Sequence, residues 1–263
     1  MAHKLELPKE LEPFSDKLEA SVKPFVKIIP TKSYKLTLWQ SKFGGLPYLP
    51  KGCEYPKDTK GNPLFLLAQI DFEEVPYLEG FPTTGILQFY IADNDLFGAN
   101  FDNPTQQQNF RVVYFPIITK ALEDLVTDFS FLTKPKGMPL SASCSLRFEK
   151  KLAPISTVDH EFGELFGDNF FEQFGDKEDE IWSKYTDKFA SDGHKIGGYP
   201  FFTQEDPRER LVQSEKYILL LQIDTDDSVG IIWGDSGVSN FFITKKDLEN
   251  LDFSGVLYNW DCS

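Results

Sequence analysis

"KFGGLPYLPKGCEYPKDTKGNPLFLLAQID", Lys42 to Asp71, and "KIGGYPFFTQEDPRERLVQSEKYILLLQID", Lys195 to Asp224, align without a gap at an offset of 153 residues, with nine of the thirty positions identical. Each stretch opens on Lys-x-Gly-Gly-x-Pro, crosses a variable polar loop and closes on Leu-Leu-x-Gln-Ile-Asp. Paired glycines permit positive φ or a close backbone approach, and the proline fixes the direction in which the chain leaves the turn. The apolar run before Gln-Ile-Asp has the length and composition of a buried strand. A tandem duplication is the economical reading. It predicts two repeats, about 25–120 and about 190–263, each contributing neighbouring strands and related by a pseudo-twofold axis.

Outward from the repeats, "GILQFYIA" from Gly85 and "VGIIWG" from Val229 read as each copy's second strand. "FRVVYFPII" from Phe110, "LRFEKKLAPIS" from Leu146 and "SGVLYNW" from Ser254 read as further strands. Leu11, Phe14, Leu18 and Val22 recur at helical spacing near the N-terminus. Phe162, Phe166, Phe170 and Phe174 step by four, followed by Ile181, Tyr185 and Phe189, and predict a helical insert over about 158–190. Thr244 with Asp247 predicts an N-capped helix through Leu248. Strand runs with segregated helices define an α+β fold, mostly antiparallel, within one domain over 1–263.

The segments "SKFGGLPYLP", "PLFLLAQIDF", "GILQFYI", "HKIGGYPFFTQED" and "GDSGVSNFFITKKDL" with "WDC" together resemble the YwqG-like family, a bacterial domain of unknown function, from about Ser41 to Cys262. The resemblance implies a cytosolic bacterial protein of duplicated α+β fold with no established activity.

Composition narrows the partners. With 27 basic against 41 acidic residues the net charge is −14, which repels nucleic-acid phosphate and anionic membranes alike. No apolar run follows the first basic residues and none approaches a membrane span, so a cytoplasmic protein is expected. Cys53, Cys144 and Cys262 are odd in number and far apart, as expected of reduced thiols rather than a disulfide framework or a zinc site.

Chemistry-bearing motifs are few. "GDSGVS" at Gly234–Ser239 imitates the nucleophile loop of a chymotrypsin-type protease, but a triad needs an imidazole, and of His3, His160 and His194 only His194 is a credible partner. The tetrapeptide reads better as a turn. "DNDLFG" from Asp93 starts like a calcium loop and fails at Phe97 and Pro104. No nucleotide-binding or zincin motif is present, so neither a cofactor nor a metal is expected. What remains is a set of polar residues on or near apolar strands: Gln69 and Asp71 in the first copy, Gln222 and Asp224 in the second, with His194, Gln204, Trp233 and Asp235. One reading has these residues bonded to the backbone of their own turns. The other has them line a ligand cleft between the repeats. Two functions follow: a non-enzymatic module binding a small molecule or a protein partner, or a hydrolase or lyase using His194 with Asp224 or Asp235.

Overall fold

The computed structural model describes residues 4–210 and 216–263; His3 and the middle of the second variable loop lie outside them. Ten strands form one antiparallel sheet: β1 (Lys23–Lys32), β2 (Lys42–Phe43), β3 (Phe65–Asp71), β4 (Ile86–Ile91), β5 (Phe110–Phe115), β6 (Cys144–Ala153), β7 (Lys195–Gly197), β8 (Tyr217–Asp224), β9 (Val238–Thr244) and β10 (Leu257–Asp261). Their spatial order is β10-β9-β8-β7-β1-β6-β2-β3-β4-β5. The long β1–β6 pair stands at the centre, running from Lys23 opposite Ala153 to Lys32 opposite Cys144. β6 carries β2 and β1 carries β7, so four strands follow on either side.

The sheet curls until its ends meet and is nearly closed. The rings of Phe110 on β5 and Tyr258 on β10 are 5.2 Å apart, those of Phe89 on β4 and Phe241 on β9 are 4.8 Å apart, and the Tyr258 amide donates to the Pro104 carbonyl at 2.9 Å. The interior is one apolar core drawing on both ends of the sheet, from Phe43, Leu67 and Ile70 to Leu220, Ile223, Trp233 and Phe241. β4 and β9 are buried along their whole length, so β4 reads as an almost continuous apolar run and the polar residues of β9, Ser239 and Asn240, are buried with it. β3 and β8 each carry a register shift opposite their neighbour, between Leu66 and Ala68 and between Leu219 and Leu221, at matching positions of the two aligned segments.

"VGIIWG" is not a strand. Gly230 (φ 75°) and Gly234 (φ 50°) bend the backbone at both ends of its centre, only Ile231 forms an isolated bridge, and Ile232 is exposed. The neighbour of β8 is instead β9, whose register sets Gln222 opposite Asn240 as Gln69 stands opposite Gln88. The N-terminal pattern likewise resolves into a 3-10 turn, Lys9–Phe14, running into α1 (Ser15–Ala20), because Pro13 interrupts regular α-helical bonding.

The insert contains α2 (His160–Phe166), a 3-10 stretch Phe170–Lys177 kinked at Gly175, and α3 (Glu178–Lys188). Its aromatic stripe packs on the N-terminal helix and on Ile155 and Tyr199, forming a second apolar core outside the sheet. α4 (Lys245–Glu249) starts at Thr244, whose hydroxyl accepts from the Asp247 amide at 3.1 Å.

Candidate functional site

Around each Gly-Gly turn the same set of hydrogen bonds recurs. Gly44 and Gly45 have φ of 64° and 78°, Gly197 and Gly198 of 70° and 73°, so each turn requires two consecutive left-handed residues. The Gln69 amide donates to the carbonyls of Leu38 and Gln40, both at 2.8 Å, while its oxygen accepts from the Tyr48 amide at 2.7 Å. Gln222 donates to the carbonyls of Ser191 at 2.9 Å and Gly193 at 2.7 Å and accepts from the Phe201 amide at 2.8 Å. Every partner of Gln222 stands 153 residues after its counterpart. Both amides are fully buried and satisfied by backbone.

Lys42 and Lys195 were not singled out from the sequence, and both are buried. The Lys42 ammonium donates to the carbonyls of Thr37, Leu38 and Leu46, and that of Lys195 to Ser191 and Tyr199. Burial pushes each down to about 7, with Glu74 acting against this at Lys42, and Asp192 and Asp224 acting against it at Lys195. Their identity in the two aligned segments was the available signal, hidden by the usual expectation that lysine is solvated.

The two halves differ beside the last strand residue. The Asp71 amide donates to the Ser41 hydroxyl at 2.9 Å, whereas the Asp224 amide donates to Nδ1 of His194 at 3.1 Å. Nδ1 is therefore the acceptor, the ring proton sits on Nε2, and Nε2 faces the Asp226 carboxylate at 3.5 Å. Burial lowers the His194 pKa, with the Asp226 charge acting in the opposite sense. Both ring nitrogens are thus engaged. Asp224 accepts from the Gly193 and Thr225 amides, and Asp71 from that of Glu73. Burial raises the pKa of both carboxyls.

The other expected site residues lie elsewhere. Trp233 is fully buried against Phe97 and Trp260, Asp235 is exposed in the turn with Ser236 (φ 66°), and Gln204 is exposed and donates to the Cys262 carbonyl at 2.6 Å. At the junction between the ends of the sheet Phe89, Phe110, Phe241 and Tyr258 pack together, and beside them an open concavity of about 670 Å3 lies between Arg111 and Tyr114 of β5 and Leu251 and Phe253.

A charged cluster unforeseen in the sequence joins the insert to the second variable loop. Asp159, His160 and Asp206 bring their ligand atoms within 4.8 Å of one another. The Arg208 guanidinium supplies the positive charge there, 2.8 Å from Asp159 and 2.6 Å from Asp206. His160 Nδ1 stands 3.2 Å from Asp206, a bond that raises the imidazole pKa.

A half-enclosed concavity lies beside this region, between α3 and the segment after the second Gly-Gly turn. Its volume is about 500 Å3. Trp182, Tyr185, Thr186 and Phe189 of α3 form one wall, Phe201, Phe202 and Thr203 the other, and Ser191 and Asp192 the rim. Trp182 is 47% exposed, a large aromatic surface held open to solvent. The Ser156 and Ser191 hydroxyls, 2.8 Å apart, and the Thr203 hydroxyl, donating to Asp261 at 2.9 Å, supply polar groups at its edge. An apolar cavity of this size with a few convergent polar groups has the character of a ligand site.

Fold and cavity define a single-sheet α+β domain carrying an aromatic cleft under its helical insert. Residues 41–262 match the family model DUF1963, a domain of unknown function, and the chain belongs to that family. No curated protein matches the chain. Among the described residues no helix is long and apolar enough to cross a membrane.

Proposed function

We propose that this protein is a non-enzymatic cytosolic binding module built from two repeats about a pseudo-twofold axis, and that its ligand seat is the α3 cleft. The duplication is supported by the sheet order read outward from β1–β6, by the matching register shifts, and by the shared backbone partners of Gln69 and Gln222. The single observation that carries the binding reading is the half-exposed Trp182 facing Phe201 and Phe202 across a preformed cavity of about 500 Å3. His194, Gln69, Gln222, Asp71 and Asp224 then serve to hold the two loops in shape, and Gln204 borders the cleft through its neighbour Thr203.

The alternative, a hydrolase or lyase using His194, has a His–Asp pair to its credit, with Asp226 rather than Asp224 or Asp235 as the close carboxylate side chain. A general base needs a free lone pair within reach of substrate, and the Nδ1 lone pair of His194 is held by the Asp224 amide.

Thermal-shift measurements against aromatic and apolar small compounds and short peptides, on the natural protein and on Thr186→Trp, test the reading. At least one class should stabilise the natural protein, and the bulky side chain on the cleft wall should abolish the shift. Silence from every class, or turnover of a hydrolase panel lost in His194→Ala, overturns it.

A further inference from the structure

In the first half of the sheet the place of this cleft is taken by the chain itself. Tyr48, which the alignment matches to Phe201, is fully buried under Leu125, Ile118 and Phe115. The covering segment, residues 118–126, is irregular chain with a single 3-10 turn at Leu122–Asp124, and it bonds to the floor through its backbone. Thr119 donates to the Tyr48 hydroxyl at 2.9 Å, Val126 to the Leu49 carbonyl at 2.9 Å, Lys51 to the Asp124 carbonyl at 2.8 Å, and Pro50 and Leu125 form a bridge. In the second half no described residue repeats this cover. Phe201 is only partly buried, and the Phe202 carbonyl, in the place of Leu49's, receives no hydrogen bond among the described residues. Asp192, exposed where the first half has Trp39, makes no ion pair among them either. An uncovered apolar floor, a main-chain acceptor and an acid on the rim thus lie together.

We infer that the α3 cleft takes a short peptide segment of a partner protein, with apolar side chains and a basic residue, seated through its backbone as residues 118–126 are seated on the first half. The inference rests on the proposed binding role and on the equivalence of the two halves. Backbone pairing with an exposed edge supplies affinity, and side-chain pockets supply selectivity, in peptide recognition of this kind. The basic residue follows from Asp192 and from the net charge of −14, which draws a cationic segment toward the surface.

The probe is a fluorescein-labelled decapeptide of sequence IITKALKKLV, residues 117–126 with Glu123 and Asp124 replaced by lysine, read by fluorescence anisotropy on the full chain. Binding is expected with a Kd on the order of 10–100 µM, as for an interface below standard size. Asp192→Lys should weaken it at least tenfold, as should Thr186→Trp. Trp182→Ala, a change at a half-exposed position that leaves the fold intact, should weaken it several-fold. If the decapeptide does not bind while small compounds still stabilise the protein through the cleft, the peptide assignment is overturned and the binding role stands. Binding that survives both Thr186→Trp and Trp182→Ala places the peptide elsewhere and overturns the assignment as well. If neither peptide nor compound binds, the binding role itself fails.

Discussion

At the scale of single residues, His194 and His160 stand in opposite electrostatic situations, and pH separates them. His194 is held neutral by burial, so its folded pKa lies below the unfolded value of about 6.5. Below that pH the unfolded chain binds a proton that the folded chain refuses, and stability falls as pH falls. The bond to Asp206 raises the pKa of His160, so its contribution is fully present below about 6.5 and is lost as pH rises through the folded pKa. His194→Ser, which copies Ser41 of the first half, should therefore reduce the loss of stability between pH 7 and 5 in urea titrations. His160→Gln should cost more stability at pH 5.5 than at pH 9. Equal effects at both pH values in both variants would contradict the assigned proton positions.

At the scale of elements, the Gly-Gly turns carry most of the local constraint. An alanine at Gly44 meets only ordinary van der Waals contacts, its nearest neighbour being the Cα of Ser143 at 3.7 Å, so only the left-handed backbone, φ 64°, opposes it. That strain costs about 1–2 kcal/mol. At Gly198 the φ of 73° is joined by a contact of 2.7 Å to the Cβ of Phe25, an atom that the β1 backbone holds in place. Overpacking of this kind adds about 1–3 kcal/mol. Gly198→Ala should thus lower the unfolding free energy by more than Gly44→Ala does, measured side by side by chemical denaturation. The difference arises because β7 pairs directly with β1 at Phe25 opposite Gly197.

At the scale of the whole molecule, the central pair couples everything. β1 precedes the first repeat motif in sequence but pairs with β7 of the second, so the second half is completed by a strand from before the first, and β1 also pairs along its whole length with β6, the strand that carries β2 of the first. The apolar core is shared in the same way. Thermal unfolding should accordingly be a single cooperative step, with tryptophan fluorescence and far-ultraviolet circular dichroism giving coincident transitions. Two resolved transitions would show that the halves unfold independently despite the shared strands.

Much of this was open to reading from the chain alone, because the periods of strands and the needs of turns are local properties. The strand character of Phe65–Asp71 and Tyr217–Asp224, the left-handed glycines before Leu46 and Tyr199, and the Thr244 cap all follow from residue types at short spacing. The second strand of the later half was misplaced because "GIIWG" is as apolar as a strand, and only pairing chose Val238–Thr244 in its stead. The buried lysines escaped for a related reason: the sequence marks a charge, while the carbonyls of Thr37, Leu38 and Leu46 that accept from it are assembled by the turn. The cleft was the least legible feature. Trp182, Phe201 and Asp192 come together only because the insert folds back across the sheet's second half, and whether a floor is covered or open depends on long-range packing that no local spacing records.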